Sequence, residues 1–416
     1  MGLFAAGGQP GAGRSEALSR DIGENREWKS ITERKGHRAM GRGSMKKIAF
    51  IIDTIESPTA GTEKQLLMLI KHLDRSRFEP TLFVLRSSPW LDHEFDLCPL
   101  VVIDFQSFAR PASYRRFLGF VAALRKNKFD CIQTHFVESN IIGIIAGRLA
   151  GVPRIISSRR DQGYWHTPVK IMLYKVLNRW VHYFVANCHA TAKWASEIEA
   201  IPMERMKIIY NGAELGLFQP VSAQTKNEIR DALGLKRNAF VVGIVANLRP
   251  VKSVATFVRA AAIAASRAAD VQFVVAGDGE QRKELENMAA EAGIADKTFF
   301  LGKRTDIPRI LAACDAAVLS STSESFSNSI VEYFASGLPV ISTDVGGCRE
   351  MIEEGVNGYI VPVADAQAIA ERVVELAATH ERLETARGAN REKARRMFSR
   401  ESMVASFEML YSGRNT

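Results

Sequence analysis

Two α/β domains, each a parallel sheet covered by helices, are the architecture this sequence predicts, and three observations predict it. From Met45 onward, short apolar runs alternate with longer stretches of helical period, the pattern of strands buried on both faces. At 416 residues, with 46% hydrophobic and 24% charged side chains, the chain exceeds what one core holds. A polar stretch, residues 219–230, divides the apolar runs into two sets. Doubly wound sheets bind ligands beyond the carboxyl ends of their strands, so a cleft where two such ends face each other is the expected site.

Residues 1–44 combine glycine and arginine with few branched side chains and no sustained period, and are expected to be a disordered extension. They lack the continuous apolar core of a secretory signal, and Met45 to Ile52 looks like a natural start running into a first strand. The first domain, 45–215, is expected to hold strands at 47–53, 81–85, 101–104, 131–134, 154–157, 181–186 and 207–210. The second, 216–397, is expected to hold strands at 241–246, 271–276, 298–301, 317–320, 339–342 and 358–361, with the hinge inside 219–230.

Five cysteines, Cys98, Cys131, Cys188, Cys314 and Cys348, show no C-x2-C spacing. That speaks against a zinc site or disulfide framework and for core thiols in a reducing cytoplasm. The longest apolar runs, such as Ile141 to Gly147, meet a charge well before the ~18 residues of a membrane span. Net charge is +9, and residues 45–212 carry 23 Lys and Arg against 15 Asp and Glu. Cationic and aromatic residues interleave in Tyr114 to Leu118 and in Lys170 to Trp180, which suits a peripheral contact with an anionic inner-membrane surface as well as an ordinary solvated helix with a buried aromatic stripe. No nucleic-acid-binding motif accompanies the charge.

The densest chemical signal is Glu324-Ser325-Phe326-Ser327-Asn328-Ser329-Ile330-Val331-Glu332. The apolar run before it reads as a buried strand and the Ser/Asn cluster as a helix cap. Glu324 then lies in a loop and Glu332 about one turn inside the helix. A helix start attracts phosphate oxygens through unpaired N–H groups and the dipole. Carboxylates beside it need hydroxyl donors, such as those of a hexose and a ribose. A capped surface helix with two solvated glutamates is the alternative.

Several blocks follow in order: Thr59-Ala60-Gly61-Thr62-Glu63-Lys64, Tyr210-Asn211-Gly212-Ala213, Val245-Ala246-Asn247-Leu248-Arg249-Pro250-Val251-Lys252, the Glu324 to Glu332 segment, Gly337-Leu338-Pro339-Val340, Asp344-Val345-Gly346-Gly347 and Gly355 to Pro362. Together they resemble the retaining glycosyltransferases of family 4, which have the two-domain GT-B fold. The resemblance runs from about Met45 to the C-terminus and implies that a last helix within 398–416 crosses back onto the first domain. It also implies a nucleotide-diphosphate sugar as donor substrate, no cofactor, and a glycan or lipid-linked acceptor. Polysaccharide or lipopolysaccharide assembly at the inner face of the cytoplasmic membrane is the expected setting.

By the same resemblance Lys252 pairs with the donor diphosphate, and a cation there favours the transition state as charge builds on the leaving group. The family usually has Arg where this chain has Asn247, and Gly where it has Ser253, so Arg249 is a candidate replacement cation. His135 matches the family's active-site histidine, a neutral ring able to hydrogen-bond a sugar hydroxyl. Gly61 would allow close backbone approach, although Ala60-Gly61 stands where the family often has two glycines. Gly302 and the residues after it match the base-reading region, and Ser325, Phe326, Ser327, Asn328 and Ser329 form the expected phosphate end of the helix. Arg159, Arg160 and Asp161 are candidates for holding the acceptor. Gly277-Asp278-Gly279-Glu280 reads as a tight strand-to-helix turn.

If Glu324 holds sugar hydroxyls it is not a far-face nucleophile, which favours departure and attack on one face of the sugar. No D-x-D pair occurs near these blocks, so metal independence is expected, with a cationic cradle in place of a metal. A GT-B nucleotide-sugar epimerase and a non-catalytic nucleotide-sugar-binding protein are the rival readings. A dehydrogenase fits less well, because the first strand leads into no G-x-G-x-x-G.

Overall fold

The computed structural model describes residues 45–413 except 59, 60, 108, 162, 164–166 and 269, and omits the side chains of 380–382. The extension at 1–44 and the loop residues Thr59 and Ala60 lie outside the described residues. In the first domain the elements run β1 (Lys46–Ile52), α1 (Gly61–His72), β2 (Phe78–Val84), α2 (Pro89–His93), β3 (Leu100–Val102), α3 (Pro111–Asn127), β4 (Cys131–Thr134), α4 (Val137–Ala150), β5 (Arg154–Arg159), α5 (Pro168–Leu177), β6 (Tyr183–Ala186), α6 (His189–Glu199) and β7 (Met206–Ile208). Then come α7 (Ala223–Ala232), β8 (Phe240–Val245), α8 (Val254–Arg267), β9 (Val271–Ala276), α9 (Arg282–Glu291), β10 (Thr298–Gly302), α10 (Ile307–Ala313), β11 (Ala316–Leu319), α11 (Asn328–Ser336), β12 (Val340–Thr343), α12 (Cys348–Met351), β13 (Gly358–Val361), α13 (Ala366–Ala378), α14 (His380–Met397) and α15 (Arg400–Ser412).

The thirteen strands of the described residues lie in two parallel sheets, ordered β3-β2-β1-β4-β5-β6-β7 and β10-β9-β8-β11-β12-β13. Both are doubly wound, and the order reverses between β1 and β4 in one and between β8 and β11 in the other. Loops leaving the carboxyl ends of neighbouring strands at such a reversal diverge to opposite faces and leave a crevice. The two crevices face each other, and residues after β1, β5 and β7 of one sheet meet residues after β8 and β11 of the other across one cleft.

Burial explains why the strands form. Ile48 to Ile52 of β1 and Ala316 to Val318 of β11 have no exposed surface, as befits strands covered by helices on both faces. The stretch expected to hold the hinge differs, because most of it is helical. Ser222 caps α7 by accepting from Thr225 N–H at 3.1 Å. Lys226 and Arg230 reach Asp315 at 2.6 Å each, which docks α7 on the second domain. Its charged composition hid an amphipathic helix whose inward contacts are ionic at Lys226 and Arg230 and apolar at Ile229.

The helix α15 packs on the first sheet. Phe407 and Tyr411 are fully buried, and Tyr411 sits edge-on to Phe50 and Phe78 with centroids 6.1 and 5.9 Å away. Lys46 Nζ donates to the Tyr411 and Ser412 carbonyls at 3.2 and 3.1 Å, and Arg154 Nη1 donates to Leu410 and Tyr411 at 3.1 and 2.8 Å. Two cations thus satisfy the orphan carbonyls at the negative end of the helix.

Candidate active site

The loop from Ser320 to Ser327 is anchored at several points. Ser320 Oγ donates to the Lys252 carbonyl at 2.9 Å, Thr343 Oγ1 to the Ser321 carbonyl at 2.6 Å, and Gly347 N–H to the Ser325 carbonyl at 2.8 Å. Gly346 has φ 49°, and a β-carbon there would overlap the Glu324 carbonyl oxygen. The Gly346-Gly347 pair is therefore the wall against which the acidic loop is pressed.

Within that loop Glu324 Oε1 accepts from Lys252 Nζ at 2.6 Å and from Ser321 Oγ at 2.8 Å. Lys252 ends the 3-10 turn Pro250–Lys252, which follows β8. Both side chains line a cavity of about 450 Å³, together with Asn328 of α11 and, from the first domain, Gly61, Arg160 and Asp161. Size and polarity suit a phosphorylated sugar.

Glu332 faces elsewhere. Its Oε1 lies 3.4 Å from Lys64 Nζ of α1, across the domain boundary. Burial raises the pKa of this carboxyl, and Lys64 offsets part of the rise. Glu332 lines a second cavity, about 460 Å³ and mostly apolar, whose walls include Thr305, Ile307 and Pro308 from the loop and helix after β10 and Trp90 from α2. The two carboxylates thus line two different cavities, Glu324 beside Asn328 at the α11 start and Glu332 one turn further along that helix.

The candidates of the helix start divide by role. Ser327 Oγ accepts from Ile330 N–H at 3.3 Å as the cap, and Ser329 Oγ donates to the Val245 carbonyl at 2.9 Å, so both hydroxyls are engaged within the domain. Phe326 packs between Tyr210 and Phe398, with centroids 5.6 Å from each. Ser325 and Asn328 line the first cavity. Asn247 and Arg249 are exposed, and neither they nor Gly302 belong to the walls of either cavity. Gly302 holds φ 69° at the end of β10, and it is Thr305, three residues on, that reaches the second cavity.

On the first domain His135 follows β4. Its N–H donates to the Ile51 carbonyl at 2.9 Å, and the ring is 1% exposed. Burial first, and the Arg160 charge second, hold its pKa well below the ordinary histidine value, so the imidazole is neutral at pH 7. Tyr411 donates its hydroxyl to Gln133 Oε1, which turns the Gln133 amide nitrogen toward His135 Nε2 at 3.3 Å. With Nε2 accepting, the ring proton resides on Nδ1, a buried donor with no hydrogen-bond partner among the described residues. The next residue, Phe136, is held at φ 67°, a strained conformation for a bulky residue of the kind that clusters at functional sites.

The two arginines after β5 part company. Arg159 turns into the core, pairs with Glu199 at 2.8 Å and stacks on Tyr174 at 4.8 Å. Arg160 faces the cleft, where burial lowers its pKa to about 10 and leaves it charged at neutral pH. Arg160 Nη1 donates to Asn211 Oδ1 at 2.8 Å, and Asn211 Nδ2 donates to Asn328 Oδ1 at 2.8 Å. Asn211 therefore bridges the domains at the α11 start. Sequence reasoning noted its Asn-Gly turn without giving the side chain a role. It also passed over Glu350, which accepts from the His189 and Ala190 N–H groups at 2.9 and 2.8 Å and joins α12 to the start of α6.

Two facing parallel sheets, with a polar cavity at their doubled switch points and a helix start between two carboxylates, define the GT-B class of glycosyltransferases. The second domain matches the glycosyl transferases group 1 model over residues 225–393, and the first domain matches the glycosyl transferase 4-like model over residues 60–212. The chain is 28% identical over 332 residues to the Escherichia coli UDP-Gal:alpha-D-GlcNAc-diphosphoundecaprenol alpha-1,3-galactosyltransferase, covering 76% of this chain and 84% of that one. Against D-inositol 3-phosphate glycosyltransferase of Thermomonospora curvata it is 28% identical over 292 residues, 63% and 67% of the two chains. Among solved structures, Anabaena Alr3699/HepE in complex with UDP-glucose superposes with a TM-score of 0.73 at 25% identity, over 88% of this chain and 99% of that one. The chain is a glycosyltransferase.

Proposed function

We propose that this enzyme transfers a hexose, with retention at the anomeric carbon, from a nucleoside-diphosphate sugar to a glycan or lipid-linked acceptor in envelope or exopolysaccharide synthesis at the inner face of the membrane. The observation that carries the reading is the partition of Glu324 and Glu332 between two different cavities, with the α11 start lining the first. That arrangement suits hexose on one side, ribose and base on the other, and diphosphate between them. The relatives support it by name: one uses UDP-galactose and a diphosphoundecaprenol-linked acceptor, and another binds UDP-glucose.

In this reading Lys252, Arg160 and the α11 amides draw off the charge that builds on the diphosphate as the glycosidic bond lengthens. His135 Nδ1–H donates to a sugar oxygen. Glu324, already accepting from Lys252 and Ser321 at 2.6 and 2.8 Å, is a poor nucleophile and a good acceptor for hydroxyls. A donor phosphate oxygen takes the acceptor's proton on the face the diphosphate leaves. Two cations and a helix start can do the work a metal does elsewhere, so turnover in EDTA is expected.

The test is thermal shift and hydrolysis of UDP-, GDP- and ADP-sugars, with Glu324→Ala in parallel. A donor at 100-fold its Kd adds about 2.7 kcal/mol to folding stability. One sugar nucleotide that stabilises the wild type and not the variant supports the assignment; silence from the whole panel overturns it.

A further inference from the structure

The inner and outer faces of α5 differ in a way packing does not explain. Tyr174 and Leu177 face inward and are 0% and 2% exposed, with the Tyr174 hydroxyl donating to the Val137 carbonyl at 3.2 Å. Outward, Val169 is 71% exposed, Met172 66% and Val176 45%, and Leu173 and, one turn on, Trp180 join them at 36% and 37%. Positions 169, 172, 173 and 176 fall on a single stripe of α5, and Trp180 ends the 3-10 turn Asn178–Trp180 that follows it. Single exposed apolar residues are ordinary, but four on one helical stripe with a fifth beyond its end are not. Lys175 and Arg179, both exposed, border it. No Asp or Glu occurs between Asp161 and Glu197, a stretch that carries four Lys and Arg.

We propose that this outer face of α5 is a docking surface for an anionic bilayer, with Val169, Met172, Leu173, Val176 and Trp180 entering the acyl boundary and Lys175 and Arg179 meeting lipid phosphates. An apolar stripe bordered by cations, with no Asp or Glu on its own helix, matches an anionic interface better than a protein surface of mixed charge. Place in the fold gives the contact a purpose. Asp161, at the carboxyl end of β5, lines the cavity, and α5 begins seven residues later. Docking on α5 therefore holds the rim of the cleft against the lipid surface, where a lipid-linked acceptor presents its sugar. This purpose rests on the proposed function; the docking surface itself does not.

The full chain is sedimented with vesicles of phosphatidylglycerol and phosphatidylethanolamine, and with phosphatidylcholine alone, in low and high salt. The proposal expects binding to the anionic vesicles, weakening with salt, and a loss of about tenfold or more in Met172→Glu/Val176→Glu and in Lys175→Glu/Arg179→Glu. All four positions are exposed, so melting temperature and turnover of free nucleotide sugar should stay at wild-type values. Equal binding by the wild type and both double variants, or no binding by the wild type, overturns it. So does a wild-type dimer that Met172→Glu/Val176→Glu makes monomeric, because a second copy would then cover the stripe. Variants that lose vesicles in a protein that binds no sugar nucleotide would leave the docking surface standing and remove the proposed function.

Discussion

Lys252 Nζ and Glu324 Oε1 are 2.6 Å apart, so the residue assigned to the donor diphosphate and the residue assigned to its hexose are each other's partner. Glu324→Gln keeps the shape and removes the charge. It should lower kcat/KM about 100-fold or more. The pair is partly exposed, with side chains 28% and 11% accessible, so the melting temperature should move little. Steady-state kinetics beside calorimetry would show the split; a large loss of stability with unchanged kcat/KM would contradict it.

Gly346→Ala tests the wall behind that loop. A β-carbon at this position collides with backbone, not with a side chain that can swing away, so the Glu324 loop must shift. A displacement of about 1 Å in a positioned group can cost about 100-fold in rate. The variant should therefore resemble Glu324→Gln in kcat/KM while still folding. Wild-type kinetics would show that the loop is not held from this side.

Tyr411→Phe removes the hydroxyl that orients Gln133, and Gln133→Leu removes the donor to His135 Nε2. In both, the ring proton is no longer confined to Nδ1, and kcat should fall with KM little changed. Gln133→Glu should raise the His135 pKa and move the acid limb of the rate profile upward. Linkage fixes the sign for stability. Folding holds the His135 pKa well below 6.5, so the unfolded chain binds the extra proton, and stability falls as pH drops below the unfolded value of about 6.5. Denaturant midpoints between pH 5 and 7, in wild type and His135→Asn, would test this; an equal slope in both would refute it.

The sheets made the region of the cavities legible, because a doubly wound sheet places its crevice beyond the carboxyl ends of its strands; within that region Lys252, His135 and Gly302 were singled out by the family resemblance. Strand ends were less legible. The structure starts β2 at Phe78, three residues before the expected 81, and Pro80 pairs with Ile48 inside the sheet. Partners were not legible at all. Lys252 meets Glu324 across 72 positions and Gln133 meets Tyr411 across 278, and no local pattern encodes such a pairing.

Arg159 and Glu199 show the cost of burying charge. Their side chains are 3% and 0% exposed, and Asn178 and Ser157 complete the hydrogen bonds. Glu199→Gln leaves a buried guanidinium without its counter-charge and should destabilise by about 3–5 kcal/mol. The double variant Arg159→Met/Glu199→Leu should recover much of that. Urea titration measures both, and additive losses in the double variant would argue against a buried pair.

Glu332 presents the opposite trade. Its folded pKa is raised, so ionisation costs stability: the cost is present above the folded pKa and relieved as pH falls through it. Lys64, 43% exposed, offsets only part. Glu332→Gln should therefore leave the free enzyme as stable as wild type or more so at pH 7, while weakening a ligand whose hydroxyls need a carboxylate acceptor. Calorimetry without ligand and titration with nucleoside diphosphate separate the two effects. A carboxylate kept where its burial is unfavourable is one whose partner arrives from outside the fold, and a variant that lost stability without losing the nucleotide would show that Lys64 is that partner after all.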